Sequence, residues 1–175
     1  MLKNIKIVAF DIDGTLTDGI YQVSSDGIIS KSFYTRDFAA IEKLLKRGYI
    51  VPAITSSEDN CFYNKCSTNG FLTKYNNFFI VNKCCDKKNF IEKGGISIFA
   101  KGRGIEVEVE DGWKNIAYMG DAENDLEVMK KAAISACPCD AEKPIIEIAD
   151  YISPYKGGHG AVADFINYLL ETDNG

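Results

Sequence analysis

Residues 6–19, Lys-Ile-Val-Ala-Phe-Asp-Ile-Asp-Gly-Thr-Leu-Thr-Asp-Gly, constrain this chain more than any other stretch. A short apolar run followed at once by Asp-Ile-Asp-Gly predicts a strand buried on both faces that ends in a glycine-loosened loop. Strands of this kind build parallel sheets, whose ligands gather at the carboxyl ends of the strands. Asp11 and Asp13, two residues apart, point the same way if the strand persists, and can share one hard cation through oxygen ligands. One of them is then placed to be a nucleophile. The plain alternative is a strand closed by an Asp-Gly turn, and this segment alone leaves both open.

The rest of the chain alternates strands with helices. Residues 20–33 alternate loosely around Ser25-Asp26-Gly27 and predict a β-hairpin just past the aspartates. Helical spacing of Phe38, Ile41, Leu44 and Leu45 predicts a helix over 37–47, ended by Lys46-Arg47-Gly48. A buried strand is expected over 49–54, closed by Thr55-Ser56-Ser57, with Ser56 or Ser57 capping a helix from Glu58. Residues 61–84 show the least legible pattern: 78–81 reads as a short strand, and the Asn and Lys residues around it as solvated loop. Further on, the patterns predict a helix over 93–104, an exposed acidic stretch over 106–112 and a strand over 116–119 ending at Gly120-Asp121. Residues 125–133 and 145–149 read as helices, 134–136 and 151–152 as strands, and 161–170 as a terminal helix with Val162, Phe165, Ile166 and Leu169 on one face. Such alternation implies a parallel sheet covered on both sides, a Rossmann-like doubly wound α/β fold. At 175 residues the chain suits one domain, residues 1–175, with a hairpin flap at about 20–33.

Composition excludes several roles. A net charge of −5 gives no electrostatic reason to bind nucleic acid or an anionic membrane. No apolar run approaches the roughly 20 residues of a spanning helix, and residues 1–4 lead into the first strand without a signal segment. A cytoplasmic protein is expected, with Cys61, Cys66, Cys84, Cys85, Cys137 and Cys139 as reduced thiols. With His159 the only histidine, a zinc site is disfavoured.

Four strand ends carry polar residues in order: Asp11 and Asp13, Thr55 and Ser56, Lys93 soon after a strand, and Gly120-Asp121 with Asp125. In a doubly wound sheet they converge on one crevice, and together they suit phosphoryl transfer. A carboxylate nucleophile, Asp11, is repelled by a phosphate dianion unless a cation lies between them. Mg²⁺ suits that place, bound by Asp11, the backbone carbonyl of Asp13, and Asp121. Thr55 and Ser56 can hold phosphate oxygens, and the Lys93 ammonium can offset charge in the transition state. Asp13 can pass a proton to the leaving alkoxide, while Asp125 orients the metal site or the lysine. Taken singly, Thr-Ser-Ser is more often a helix cap and a lysine before Gly-Gly a surface residue; the ordered set carries the reading.

Asp11-Ile12-Asp13-Gly14-Thr15-Leu16-Thr17 resembles the first motif of the haloacid dehalogenase (HAD) superfamily of aspartyl-phosphate phosphatases. Thr55, Lys93 and Gly120-Asp121 with Asp125 follow in the order of its other three motifs. Lys87 and Lys88 are neighbouring candidates for the third; Lys93 is chosen because Lys-Gly-Gly-Ile-Ser-Ile-Phe-Ala looks like the family's lysine-led helix. The resemblance implies that Asp11 attacks phosphorus and Asp13 is the general acid and base. It also implies that no cap domain is present, because the spacings between motifs leave room only for a hairpin, helices and a strand.

More of the chain is similar to one capless branch, the 3-deoxy-manno-octulosonate 8-phosphate phosphatases and relatives acting on nonulosonate 9-phosphates. Thr17-Asp18-Gly19, Lys31-x-Phe33, Arg36-Asp37, Ala149-Asp150-Tyr151-Ile152 and Gly157-Gly158-His159-Gly160-Ala161-Val162 carry that likeness. It implies a homotetramer acting on a small phosphorylated sugar or sugar acid. Ser56-Ser57, Ala122 and His159 depart from the branch, whose basic residues at the first and last of these places are expected to meet a sugar-acid carboxylate; His159 is the candidate substrate ligand there. The competing readings are a non-catalytic oligomerisation module of the same fold, and a phosphatase for another sugar phosphate or for a phosphoprotein.

Overall fold

A computed structural model describes residues 4–173; the expectation for residues 1–3 lies outside the described residues. The central strand is β1 (Ile7–Phe10), as the opening pattern requires. It pairs in parallel with β4 (Val51–Ile54) on one side, Phe10 opposite Ala53, and with β6 (Ile116–Met119) on the other, Ile7 opposite Ile116. Outside these lie β5 (Phe78–Val81) next to β4, then β7 (Ile134–Cys137) and β8 (Tyr151–Ile152) beyond β6, giving the order β5-β4-β1-β6-β7-β8 with every pairing parallel. The chain runs outward from β1 to β5 and then returns to the far side of β1. The crevice at this reversal opens at the carboxyl ends of β1, β4 and β6.

Both faces of the sheet are covered, which is why its strands are continuous apolar runs rather than alternating ones. Val8 and Phe10 face α1 (Thr35–Lys46), α2 (Cys61–Thr68), α3 (Phe71–Lys74) and α8 (Ala161–Asp173), through Phe38, Ile41, Phe62, Phe71 and Phe165. Ile7 and Ala9 face α4 (Lys87–Glu92), α5 (Gly95–Gly102), α6 (Leu126–Met129) and α7 (Lys143–Ile146), through Ile91, Ile96, Val128 and Ile145. Phe38, Phe62, Phe71 and Phe78 form a chain of ring contacts with centroids 5.6 to 6.4 Å apart. Truncating such a ring to alanine costs about 3 to 5 kcal/mol.

The hairpin is β2 (Tyr21–Val23) paired antiparallel with β3 (Ile29–Lys31), a two-stranded sheet apart from the main one. Among the described residues, the hairpin is all that separates β1 from α1, and only α2 and α3 separate β4 from β5, so there is no cap domain.

Three expectations need correction. No helix starts at Glu58: residues 57–60 take no regular structure, and the Asp59 carboxylate, rather than a serine, accepts the Cys61 N–H at 2.9 Å. Residues 61–74, whose Asn and Lys side chains suggest solvated loop, are largely helical because Phe62, Cys66 and Phe71 bury themselves against α1 and the sheet. The helix expected over 93–104 is α5, which starts only at Gly95 and leaves Lys93 outside it, at the end of the separate helix α4.

Candidate active site

The site begins where β1 ends. Asp11 donates its backbone N–H to Met119 O on the neighbouring β6 at 2.9 Å, which fixes its carboxyl between the two strands; it is 4% exposed. The chain then turns tightly, with the Leu16 and Thr17 N–H groups both bonded to Ile12 O, and the Gly14 N–H bonded to Thr17 Oγ1 at 3.2 Å. Gly14 adopts φ +92°, and a Cβ there would lie 2.0 Å from Asp121 Oδ2. Only glycine lets this turn approach the β6 carboxylate so closely. The loop before α8 presses on the same turn: Gly158 N–H bonds Thr15 O at 3.0 Å, and a Cβ on Gly157 would meet Gly14 O at 1.8 Å.

At the end of β6, Asp121 accepts the Thr15 hydroxyl at 3.0 Å. Asp125, wholly buried, accepts the Asp121 and Ala122 N–H groups on Oδ2, and the Tyr118 hydroxyl on Oδ1 at 2.6 Å. Into this group comes Lys87, 1% exposed, whose ammonium bonds Asp11 Oδ1 and, at 2.6 Å, Asp125 Oδ1. Lys87 is the first residue of α4, whose N-cap Asp86 accepts the Asn89 N–H at 2.9 Å.

Lys87 therefore occupies the place expected of Lys93. Lys93 is exposed at the end of α4. Six residues along a helix mean about 9 Å of rise and about 600° of rotation, so the two ammonium groups cannot serve one crevice. Asp86, a strong N-cap directly before a lysine, was the sequence signal that could have marked Lys87.

Asp13 takes a separate position. Its Oδ1 accepts Lys31 Nζ from β3 at 2.6 Å, and its Oδ2 accepts the hydroxyl of Thr55, from the end of β4, at 3.2 Å. Lys31 also bonds Asp59 Oδ2 at 2.5 Å. Neither this role of Lys31 nor the presence of Asp59 was foreseen. Ser56 is exposed on the same rim, lining a cavity beside Asp13. His159 is exposed on the loop before α8, where its backbone N–H bonds Lys156 O; the structure does not bring it into the carboxylate group.

Charge explains what the cluster can hold. Oxygens of Asp11, Asp121 and Asp125 lie within 4.8 Å of one another, and two unit charges at that distance repel by about 3 kcal/mol at an effective dielectric of 20. One lysine does not neutralise three carboxylates. Burial raises the Asp11 carboxyl well above its ordinary value, Lys87 opposes that, and Asp125 and Asp121 add to it. Burial and then the Asp125 charge push Asp121 up to about 7. Burial pulls the Lys87 ammonium down, but Asp11 and Asp125 outweigh it and leave it raised, hence firmly charged. An all-oxygen donor set short of positive charge fits a hard divalent cation.

A doubly wound sheet without a cap, carrying carboxylates and a buried lysine at its switch point, is the architecture of a hydrolase class. The chain belongs to the haloacid dehalogenase-like hydrolases, the family whose pattern matches residues 60–166. It is similar to the 3-deoxy-D-manno-octulosonate 8-phosphate phosphatase KdsC of Salmonella typhi, 30% identical over 168 residues, which cover 96% of this chain and 80% of that one. Among solved structures it resembles the Moraxella catarrhalis phosphatase of the same name, in complex with magnesium ion, phosphate ion and KDO, with TM-score 0.79 and 27% identity over 99% of this chain and 90% of that one. The cobalt-bound phosphatase YrbI of Haemophilus influenzae gives TM-score 0.78 and 25% identity, over 99% and 91%.

Proposed function

We propose that this protein is a Mg²⁺-dependent phosphomonoesterase for a small phosphorylated sugar or sugar acid of the 3-deoxy-manno-octulosonate 8-phosphate type. The observation that carries the reading is the contact of Lys87 with both Asp11 and Asp125 beside Asp121, at the switch point of the sheet. Asp11 and Asp121 would hold the cation, with the backbone carbonyl of Asp13, while Asp125, whose oxygens already accept from Lys87, Tyr118 and two backbone N–H groups, orients the group; bound there, Mg²⁺ supplies the positive charge that lets a carboxylate meet a phosphate dianion.

In this mechanism the Asp11 carboxylate attacks phosphorus and forms an aspartyl-phosphate while the ester oxygen leaves. Asp13 gives that oxygen a proton, then takes one from the water that hydrolyses the intermediate. Thr55, already bonded to Asp13, turns its hydroxyl to a phosphate oxygen, with Ser56 beside it. The Lys87 ammonium, rather than that of Lys93, offsets charge on the phosphoryl oxygens and opposes protonation of Asp11.

Residues 1–175 are read as one hydrolase unit with residues 20–33 as its flap. A homotetramer is supported by the exposed apolar side chains of that flap, Ile20, Tyr21, Val23 and Ile28, each more than half exposed. Among the described residues no helix is long and apolar enough to cross a membrane, which supports a cytoplasmic location.

The test is phosphate release from p-nitrophenyl phosphate and a panel of sugar phosphates. Turnover should need Mg²⁺, stop with chelator, and fall at least a thousandfold in Asp11→Asn. An Asp11→Asn protein hydrolysing at the wild-type rate rules the assignment out.

A further inference from the structure

Beside Asp13 lies a cavity of about 430 Å³. It is lined by Asp13, by the hairpin residues Tyr21, Ile29 and Lys31, and by residues 56–59 that follow β4. If Asp11 and Asp13 act as read above, the departing half of the ester lies on the Asp13 side, in this cavity. The inference rests on that reading.

The cavity is acidic. Asp13, Glu58 and Asp59 line it, against a single cation among its described lining residues, Lys31, with Lys83 outside the lining pairing Glu58 Oε2 at 3.3 Å on the exposed rim. That cation is already engaged: its ammonium bonds Asp13 Oδ1 at 2.6 Å and Asp59 Oδ2 at 2.5 Å, and its side chain is 6% exposed. Asp59 also accepts the Ser57 hydroxyl at 2.5 Å, which fixes the carboxylate in the wall. Turning Lys31 to an incoming anion would strip both of these carboxylates of their partner, a change that low-dielectric surroundings oppose. Hydroxyl groups meet no such obstacle, because each can donate to a carboxylate and form a short, charge-assisted bond.

The geometry points to a selectivity rule: this cavity receives uncharged, hydroxylated carbons next to the phosphate ester and rejects a carboxylate there, Glu58 and Asp59 being the residues that reject it. A sugar acid is then a substrate only when its carboxylate lies several carbons from the phosphate, beyond the cavity. A short phosphorylated acid is refused.

Two matched pairs test this: glycerol 3-phosphate against 3-phosphoglycerate, with the carboxylate close to the ester, and glucitol 6-phosphate against 6-phosphogluconate, with the carboxylate at the far end. Each is measured as a substrate and as a competitor of p-nitrophenyl phosphate, so a compound that is not turned over still reports its binding. The short pair should differ by at least thirtyfold in favour of the alcohol, by kcat/KM or by inhibition constant, and the long pair by less than about threefold. In Glu58→Gln with Asp59→Asn, the short-pair ratio should shrink at least fivefold. Equal behaviour of the short pair in the wild-type protein, including no inhibition by either, overturns the rule and leaves the phosphatase reading intact. An unchanged short-pair ratio in the double variant overturns the assignment to Glu58 and Asp59. Absence of p-nitrophenyl phosphate turnover overturns the phosphatase reading, and the rule with it.

Discussion

At the carboxyl end of β1 the charged side chains are buried and bonded to one another, whereas in the hairpin that follows the apolar side chains stand in water. Asp11, Lys87, Asp125 and Tyr118 share a set of hydrogen bonds closed to solvent. Ile20, Tyr21, Val23 and Ile28 are 58 to 66% exposed. The two regions invert the usual rule that charge lies outside and hydrocarbon inside, and each inversion needs a different remedy. The crevice lacks positive charge, which a cation can supply. The hairpin lacks cover, which another surface can supply.

The largest effect expected from breaking this contrast is at Lys87. Lys87→Met keeps an unbranched side chain one atom shorter but removes the charge, so Asp11 and Asp125 lose their shared partner. The kcat for p-nitrophenyl phosphate should fall by about 10² to 10³, the range for loss of one charge-stabilising donor, while thermal melting followed by circular dichroism shows a folded protein. Lys93→Ala, at the exposed end of α4, should stay within about twofold of wild type. Reversal of the two results would return the third motif to Lys93.

A smaller effect is expected at the hairpin. Replacing Tyr21 and Ile28 by serine removes apolar surface without touching the main sheet. Sedimentation velocity should show wild type as an oligomer and the double variant shifted toward monomer, with activity reduced severalfold at most. A wild-type chain that sediments as a monomer at micromolar concentration would leave the exposed hairpin without the cover proposed for it.

The same contrast separates what was legible in the sequence from what was not. β1, β5 and β6 could be read because strands buried on both faces are unbroken apolar runs, and α1 because its apolar residues recur at helical spacing. The carboxylates could be read because they sit at strand ends. Lys93 was preferred to Lys87 because α4 is six residues long, too short to show a period, while Lys93-Gly-Gly imitates a helix start. Residues 61–74 hid their helices behind Asn, Thr and Cys, whose weak helical preference is overridden by burial of Phe62 and Phe71. The Lys31 bonds to Asp13 and Asp59 join three separate segments, and no local pattern announces a contact of that kind.

The smallest expected effect lies at the root of the hairpin, where α1 begins. Asp37 is wholly buried, yet has no lysine: its Oδ1 accepts the Ala163 N–H of α8 at 2.8 Å, and its Oδ2 is buried without a hydrogen-bond partner. Burial raises its carboxyl from 3.8 to about 6, against the pull of the α8 amides and of the His159 charge. Because the folded chain holds this proton more tightly than the unfolded chain, the group's contribution to stability is complete below about pH 4. It is lost as the pH rises through 6, by on the order of 2 to 3 kcal/mol. Asp37→Asn keeps an oxygen for the Ala163 N–H but cannot ionise. Its new amide N–H₂ carries an offset that does not depend on pH, so the informative quantity is how the stability difference between variant and wild type changes with pH. Urea unfolding from pH 4.5 to 7.5 should show that difference moving in favour of the variant as the pH rises, and then levelling above about 7. A difference that stays flat would mean that Asp37 titrates at its ordinary value.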